Sequence, residues 1–444
     1  MIREAAFRTK LLAAGRDSVS AYRDFLRADR LPPDELEGIG RRRVSELAQF
    51  AFAQSPFYRT LYGDHGFTAD DLADPASFES LPFVTKSDLR EHFESIRTPE
   101  ATRRTSAVSR TGGSTGLPVH LLRDLRFPSR ALEWRLFHWW GVDPWEDRAI
   151  VTRHILTGKT RVKHDLAWLP SRRIQLDAYR ITDETVRSFA HQWNRVRPPF
   201  LLGYGGGVLD FARRAARLGL TLEPPRAIAV TAAPLTAGTR HEIESLLGAP
   251  CYDHYRSAEV PWLAGECQAQ AGMHVFADVR RVEILDDDDR PVPAGQEGHV
   301  VATDLTNRVF PIIRYRLGDI SSLMTGSCAC GRTLPRLGAI SGRNSDALRL
   351  PDGTTIAGAM GHIFDDHPLS VARFEIEQAA DYAITLRCIP GSGPDADRGI
   401  AHAESILRRA TKDLVPVTVE RVDHIDQVGG KMRFIRSAVN VDPS

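Results

Sequence analysis

Residues 109–118 read Ser-Arg-Thr-Gly-Gly-Ser-Thr-Gly-Leu-Pro. Gly112, Gly113 and Gly116 free the backbone to bring N–H groups close to an anion, and Thr111, Ser114 and Thr115 set hydroxyls beside them. Such a segment suits a polyphosphate. It is not a Walker loop, which ends Gly-Lys-Ser/Thr where this one ends Gly-Leu-Pro. Further along, Tyr252-Asp-His-Tyr-Arg-Ser-Ala-Glu259 gathers aromatic rings and carboxylates, including Asp253, Tyr255 and Glu259. A ring can stack on a purine, and a carboxylate can hold Mg²⁺ against phosphate oxygens. Asp319 ends the run Arg314-Tyr-Arg-Leu-Gly-Asp and is expected at a turn, where it could accept both hydroxyls of a ribose; the bland alternative is a turn cap. Ser341-Gly-Arg343 follows, and Gly429-Gly-Lys431 lies near the C-terminus. Lysine is scarce in this arginine-rich chain, so one retained directly after two glycines suggests a task for a compact ammonium on a flexible stem.

These residues need elements to hold them. The chain has 444 residues, more than one hydrophobic core usually supports, so two domains with a crevice between them are expected. Residues 1–100 read as helices broken by proline-rich turns. Between about 105 and 340, β-like runs such as 149–152, 227–231 and 298–303 alternate with amphipathic stretches such as 208–218 and 238–247. That alternation predicts an α/β domain with a mainly parallel sheet. Asp286 to Pro293 reads as a charged hairpin tip rather than a metal site. After Gly342 a hairpin with an Asp352-Gly turn opens a small α+β domain of helix-strand-helix-strand character. The expected division is 1–342 and 343–444. A net charge of +1 gives no electrostatic case for nucleic acid. The sequence shows no membrane-length apolar run and no signal-peptide pattern, and the expected location is the cytoplasm.

Taken in order, the phosphate-type loop, Tyr255-x-x-x-Glu259, Arg-Tyr-Arg-x-Gly-Asp319, Ser-Gly-Arg343 and late Gly-Lys431 resemble the adenylate-forming superfamily. More narrowly, the chain resembles the phenylacetate–CoA ligase family. The helical opening with Ser55-Pro-Phe-Tyr-Arg, Leu81-Pro-Phe-Val-Thr-Lys86, Gly-Glu-Cys267, Cys-x-Cys330-Gly-Arg and Leu350-Pro-Asp-Gly carry that resemblance, which is especially close to a branch of capsular-polysaccharide biosynthesis proteins. It implies that Thr111, Gly112, Gly113, Ser114, Thr115 and Gly116 wrap the ATP phosphates, that Glu259 helps bind Mg²⁺, and that Asp319 holds the ribose. Tyr255 and Asp253 would lie at the nucleotide, with Ala233 and Pro234 in the pocket wall. Arg343 would close the site at the domain junction, Ser345 and Asp346 would mark the hinge, and Lys431 would reach the carboxylate and α-phosphate. The implied reaction joins a small-molecule carboxylic acid to AMP and then to a thiol, coenzyme A by default, as a small C-terminal domain swings between half-reactions. Rival acceptors are a carrier-protein pantetheine, an amine or a hydroxyl, and a homodimer is among the expected assemblies. The phosphate loop departs from many relatives in carrying Val119 after its proline, and the usual lysine-glycine turn past the hinge is absent. Two readings of other classes are a non-catalytic nucleotide binder and a zinc-ribbon-like nucleic-acid binder. Glu259, Asp319, Arg343 and Lys431 together argue against the first and the neutral charge against the second.

Cys267 with His274, and Cys328 with Cys330, offer four ligands suited to a closed, tetrahedral, structural Zn²⁺. Cys251 and Cys388 read as buried thiols. Trp134, His138, Trp139 and Trp140 give an aromatic helix read chiefly as core, and Gly203-Tyr-Gly-Gly-Gly207 leaves room near the crevice. Arg153 and His154 end a strand-like run where they could meet a substrate or cap a strand.

Overall fold

The computed structural model describes residues 2–13, 18–110, 119–152, 155–343, 348–352, 355–356, 363–364, 366–367, 370–391, 395–425 and 434–439. The opening hundred residues are helical: α1 (Ile2–Ala13), α2 (Ser18–Ala28), α3 (Pro33–Gln54), α4 (Pro56–Asp64), α5 (Ala69–Ala73), α6 (Lys86–Glu91) and α7 (Phe93–Ile96). Their boundaries follow local chemistry. Ser55 caps α4, whose first residue is Pro56, while Thr68 and Thr85 each form a capping box with an aspartate three residues on. Strands β1 (Ser106–Arg110) and β2 (His120–Asp124) then pair antiparallel, with Arg110 opposite His120.

After α8 (Arg130–Trp139) the chain alternates β3 (Arg148–Thr152), α9 (Gly158–Trp168), β4 (Arg173–Asp177), α10 (Asp183–Val196), β5 (Phe200–Tyr204), α11 (Gly205–Arg217), β6 (Ala227–Thr231), α12 (Ala237–Leu247) and β7 (Cys251–Tyr255). These five strands are parallel in the order β4-β3-β5-β6-β7. The order reverses between β3 and β5, the kind of switch point at which open α/β sheets bind ligands outside their carboxyl ends. Gly203 sits at that switch because a Cβ there would come within 2.8 Å of Val151 and 2.7 Å of Val208.

The parallel character ends at β7. Strands β8 (Ala264–Glu266), β9 (Met273–Val275), β10 (Arg280–Leu285), β11 (Glu297–Asp304), β12 (Tyr315–Met324), β13 (Arg336–Leu337) and β14 (Gly342–Arg343) continue it antiparallel into one twelve-stranded mixed sheet. The charged segment 286–293 is the tip between β10 and β11, as expected. The expected turn at Asp319 is not there: Asp319 lies within β12, opposite Arg343 of β14. Gly318 has φ +74° and the β11–β12 register shifts between His299 and Val301, so the Gly-Asp pair makes a bulge inside the strand rather than ending it.

Beyond 343 come the hairpin β15 (Leu348–Arg349) and β16 (Thr355–Ile356), then β17 (Val371–Gln378), β18 (Ile384–Pro390), α13 (Ala396–Ala410), β19 (Val417–Arg421) and β20 (Ile435–Ser437). The four-stranded sheet β19-β18-β17-β20 is covered by α13 and closes its own core of Ile376, Leu386, Cys388, Ala403 and Leu407. Two adjacent strands precede the helix, where alternating helix and strand had been expected. A polar seam joins the two regions: Arg213 of α11, paired with Glu242 of α12 at 2.6 and 2.7 Å, donates to the carbonyl of Ala372 at 2.8 Å. No helix among the described residues is long and apolar enough to cross a membrane.

Candidate active site

The carboxyl ends of β5, β6 and β7 lie side by side through the register Tyr204↔Thr231 and Val230↔Asp253. The Thr231 hydroxyl donates to the His254 carbonyl at 3.0 Å, tying the end of β6 to β7. Ala233 and Pro234 follow β6 directly and are half-buried. Ala232 between them and the strand has φ +74°, a strained conformation for a residue with a Cβ.

Tyr255, the last residue of β7, donates its hydroxyl to Asp319 Oδ2 at 2.7 Å, and both side chains are buried. Beside them Tyr315 donates to Glu259 Oε1 at 3.3 Å. The structure thus brings together Tyr255 and Asp319, expected site residues 64 positions apart, and pairs the expected Glu259 with Tyr315, which the sequence reading missed. Its signal was present in the Arg-Tyr-Arg-x-Gly-Asp run, but only the register of β12 shows that its hydroxyl meets Glu259.

Asp253 is half-buried on β7. Burial, and then the neighbouring Glu266 carboxylate, push its pKa up to about 7, against the pull of Arg240 and of the His254 and Leu235 amides. Glu266 is fixed in turn by the Asp253 amide at 2.7 Å and by Arg240 Nη2 at 2.7 Å. Arg343 lies on β14 with its backbone opposite Asp319. Thr111, Gly112, Gly113, Ser114, Thr115, Gly116, Arg153, His154, Ser345, Asp346 and Lys431 lie outside the described residues.

The four metal-ligand candidates meet. One ligand atom from each of Cys267, His274, Cys328 and Cys330 lies within 4.8 Å of all the others. Cys267 Sγ is 3.6 Å from Cys328 Sγ, and Cys330 Sγ is 3.3 Å from His274 Nε2. A zinc tetrahedron with bonds of about 2.0–2.3 Å has edges of about 3.3–3.8 Å, so the donor set fits the ion. His274 Nδ1 lies 3.2 Å from the Leu334 carbonyl, which directs Nε2 toward the cysteines, and burial lowers the ring's pKa to about 4, keeping it a neutral ligand. Behind the cluster lies a buried frame that sequence reasoning did not find. Arg135 of α8, fully buried, bridges Asp29 at 2.6 Å and Asp278 at 2.8 Å, and Trp139 donates to the other Asp29 oxygen at 2.7 Å. Trp139 packs against His274 with ring centroids 5.6 Å apart. Trp134, Trp139 and Trp140 are core residues, as expected of the aromatic-rich helix, while His138 is exposed.

On the opposite face of β7 from Tyr255, His254 is 2% exposed. Its ring stacks on Trp262 at 5.6 Å and 19°, with Trp140 at 5.8 Å on another side. Burial, then the charge of Arg256, lower its pKa to about 3, against the pull of the Val230 carbonyl.

The parallel sheet with its strand-order switch, continued antiparallel into a bulged strand and followed by a smaller sheet domain, is the fold of the adenylate-forming CoA ligases. The chain matches 2-hydroxyisobutyryl-CoA ligase, solved in the postadenylation state in complex with R3-HIB-AMP, with a TM-score of 0.74 at 21% identity over 93% of this chain and 91% of that one. In sequence the chain is similar to the phenylacetate–coenzyme A ligases. It is 23% identical over 403 residues to the one from Thermus thermophilus, covering 89% of this chain and 87% of the relative. It is 26% identical over 333 residues to the one from Escherichia coli, covering 71% and 72%. No family model matches the chain.

Proposed function

We propose that the protein activates a carboxylic acid with ATP as an acyl-adenylate, releasing pyrophosphate, and then passes the acyl group to the thiol of coenzyme A. The observation that carries this reading is the 2.7 Å hydrogen bond from Tyr255 to Asp319 at the carboxyl end of the parallel sheet. It fixes an aromatic ring beside an acceptor carboxylate where the ligand of such a sheet belongs. Likeness to enzymes named phenylacetate–coenzyme A ligase along 89% and 71% of the chain supports the same reading.

In this account Asp319 accepts the ribose hydroxyls, Tyr255 lies against the base, and Asp253, Ala233 and Pro234 complete the wall. The segment Thr111 to Gly116 donates backbone N–H and hydroxyl groups to the phosphates. An attacking carboxylate oxygen forms its bond to the α-phosphorus as the bond to the bridging oxygen breaks, and pyrophosphate leaves with the electron pair. Two anions must approach for this, and Lys431 offsets that repulsion and the charge that builds in line. Arg343 closes the nucleotide site from the domain junction, which we place between residues 342 and 343. Glu259, oriented by Tyr315, would hold Mg²⁺, which supplies charge neutralisation at the phosphates. In the second step the thiolate attacks the acyl carbon and AMP departs. Cys267, His274, Cys328 and Cys330 would hold Zn²⁺ with no open position, a structural role.

The test is product analysis with ATP, Mg²⁺, coenzyme A and a panel of aryl, amino and aliphatic acids. The expected products are AMP, pyrophosphate and a thioester in equal amounts. ADP and inorganic phosphate in their place would contradict the reading, and AMP without thioester would move the acceptor from coenzyme A to another nucleophile.

A further inference from the structure

Strands β3 and β4 each open on an arginine, and their parallel register sets Arg148 beside Arg173. Neighbours in register share a face of the sheet, so two guanidiniums start out side by side, an arrangement that like charge disfavours. Arg148 is 4% exposed, its guanidinium 4.6 Å from the centre of the Phe137 ring. Arg173 is half-buried, with its guanidinium 3.2 Å from the centre of the Trp168 ring. Burial, and then the charge of Arg148, press the Arg173 pKa down to about 8, and burial lowers that of Arg148 as well. Arg130, exposed at the start of α8, adds a third positive charge that both of them feel.

The negative groups around them do not balance this charge. Glu133 of α8 is paired with Arg148 at 4.0 Å, and no carboxylate among the described residues forms an ion pair with Arg173. The other acids nearby are committed: Asp165 to Arg161 at 2.6 Å, and Asp147 to Arg3 at 2.9 Å and to the Arg172 amide at 2.6 Å. Arg148 Nη2 donates to the Pro144 carbonyl at 3.1 Å, a neutral acceptor. Arg173 Nε is buried with no hydrogen-bond partner among the described residues. Native proteins pair their buried charges, and an orphaned donor calls for an acceptor.

We propose that Arg130, Arg148 and Arg173 form a binding site for a phosphate group, separate from the nucleotide crevice. Three guanidiniums facing one carboxylate leave an excess of two positive charges, which a phosphate dianion balances and a single carboxylate does not. The planar fork of arginine matches phosphate oxygens, and stacking on Phe137 and Trp168 fixes the planes of two forks. Arg130 is exposed, and Arg173 and Glu133 are half-buried, so the cluster opens to solvent. Its place is the amino ends of β3 and β4, strands of five residues whose carboxyl ends lie roughly 15 Å away. No step of the proposed reaction uses it. The phosphate group is that of a free anion, inorganic phosphate or pyrophosphate, or the phosphate monoester of coenzyme A.

Equilibrium dialysis of the full chain against inorganic phosphate, at constant ionic strength, reads the site directly in wild type, Arg173→Met, Arg130→Ala and Lys431→Ala. The wild type is expected to bind an equivalent of phosphate that Arg173→Met weakens by at least about tenfold and that Lys431→Ala, altered in the crevice, leaves in place. Arg130→Ala, an exposed change that leaves the core untouched, should weaken it by about threefold, so the result does not hang on how Arg173→Met folds. No saturable binding, binding that the arginine variants leave unchanged, or loss of the same equivalent in Lys431→Ala overturns the proposal. Repeating the dialysis with pyrophosphate, coenzyme A and dephospho-coenzyme A, which lacks the monoester, identifies the source. Coenzyme A binding weakened both by Arg173→Met and by loss of the monoester assigns the site to the coenzyme. Free anions that bind there while neither coenzyme responds to Arg173→Met assign it to inorganic phosphate or pyrophosphate. Dialysis reads no turnover, so a failure of the adenylation reading leaves this result standing.

Discussion

Two buried histidines in this molecule have opposite fates. His274 and His254 are both almost wholly enclosed and both held neutral by burial. Yet His274 has each nitrogen committed, Nδ1 to the Leu334 carbonyl and Nε2 toward Cys330. His254 instead packs against Trp140 and Trp262, with the Val230 carbonyl as its polar neighbour. The difference separates a ring oriented as a candidate metal ligand from one built into an aromatic core. The Cys267–Cys330 cluster and the Asp29–Arg135–Asp278 frame lie together at the junction between α8 and the antiparallel strands.

The strongest way to break the comparison is to remove the ligands around His274. Cys328→Ser should lower stability by more than about 4 kcal/mol and abolish bound zinc, measured by denaturant unfolding and elemental analysis. A protein that stays zinc-free and unchanged in stability would make the cluster four ordinary buried side chains. Next in size, Arg135→Met strips Asp278 of its buried cation and leaves Asp29 with only the longer ion pair to Arg332 at 3.5 Å, a loss expected at about 3–5 kcal/mol.

At His254 the sign reverses. His254→Leu should raise stability at acid pH, since it removes a buried imidazole whose site opposes protonation. An ordinary histidine titrates near 6.5 when unfolded, whereas His254 resists protonation down to about pH 3, so wild-type stability is lost as pH falls through that window. The advantage of His254→Leu should therefore grow from pH 7 to pH 4. A gap that is constant or shrinks would show that the ring is not held neutral by its site.

The smallest effect belongs to Asp253, one residue away. Its folded pKa is raised to about 7, so its charge opposes folding above the usual carboxylate range and reaches full cost above pH 7. Asp253→Asn should stabilise by roughly 1–2 kcal/mol at pH 8 and by little at pH 4, with nucleotide affinity as the property at risk. Equal effects at both pH values would contradict the raised pKa.

Some of the juxtapositions were legible because they are written in residue type and order. Tyr255 meets Asp319, and the four candidate metal ligands converge although 63 positions separate Cys267 from Cys330. What the sequence withheld depends on register and on which face of a strand a residue occupies. Asp319 looked like a turn residue because Gly-Asp is a turn pair, and the bulge at Gly318 keeps it inside β12 instead. His254 was hidden between two recognisable neighbours, since period-two alternation sends it away from them and into an aromatic core. Arg135 gave no signal at all: an arginine on an aromatic helix reads as surface until Asp29 and Asp278 are brought to it from 106 and 143 positions away. The parallel run β3–β7 followed from its alternation with helices, whereas the antiparallel continuation from β8 rests on short strands whose pairing is set by long-range contacts.

The central claim is adenylation by residues of this crevice, and the most direct measurement is carboxylate-dependent ATP–pyrophosphate exchange with Mg²⁺ over a broad acid panel, comparing wild type with Lys431→Ala. Exchange supported by a particular acid, falling by about 10²–10³ in Lys431→Ala with the fold intact, is the predicted result. Exchange that is undiminished in Lys431→Ala, or absent in wild type for every aryl, amino, hydroxy and aliphatic acid, would contradict it.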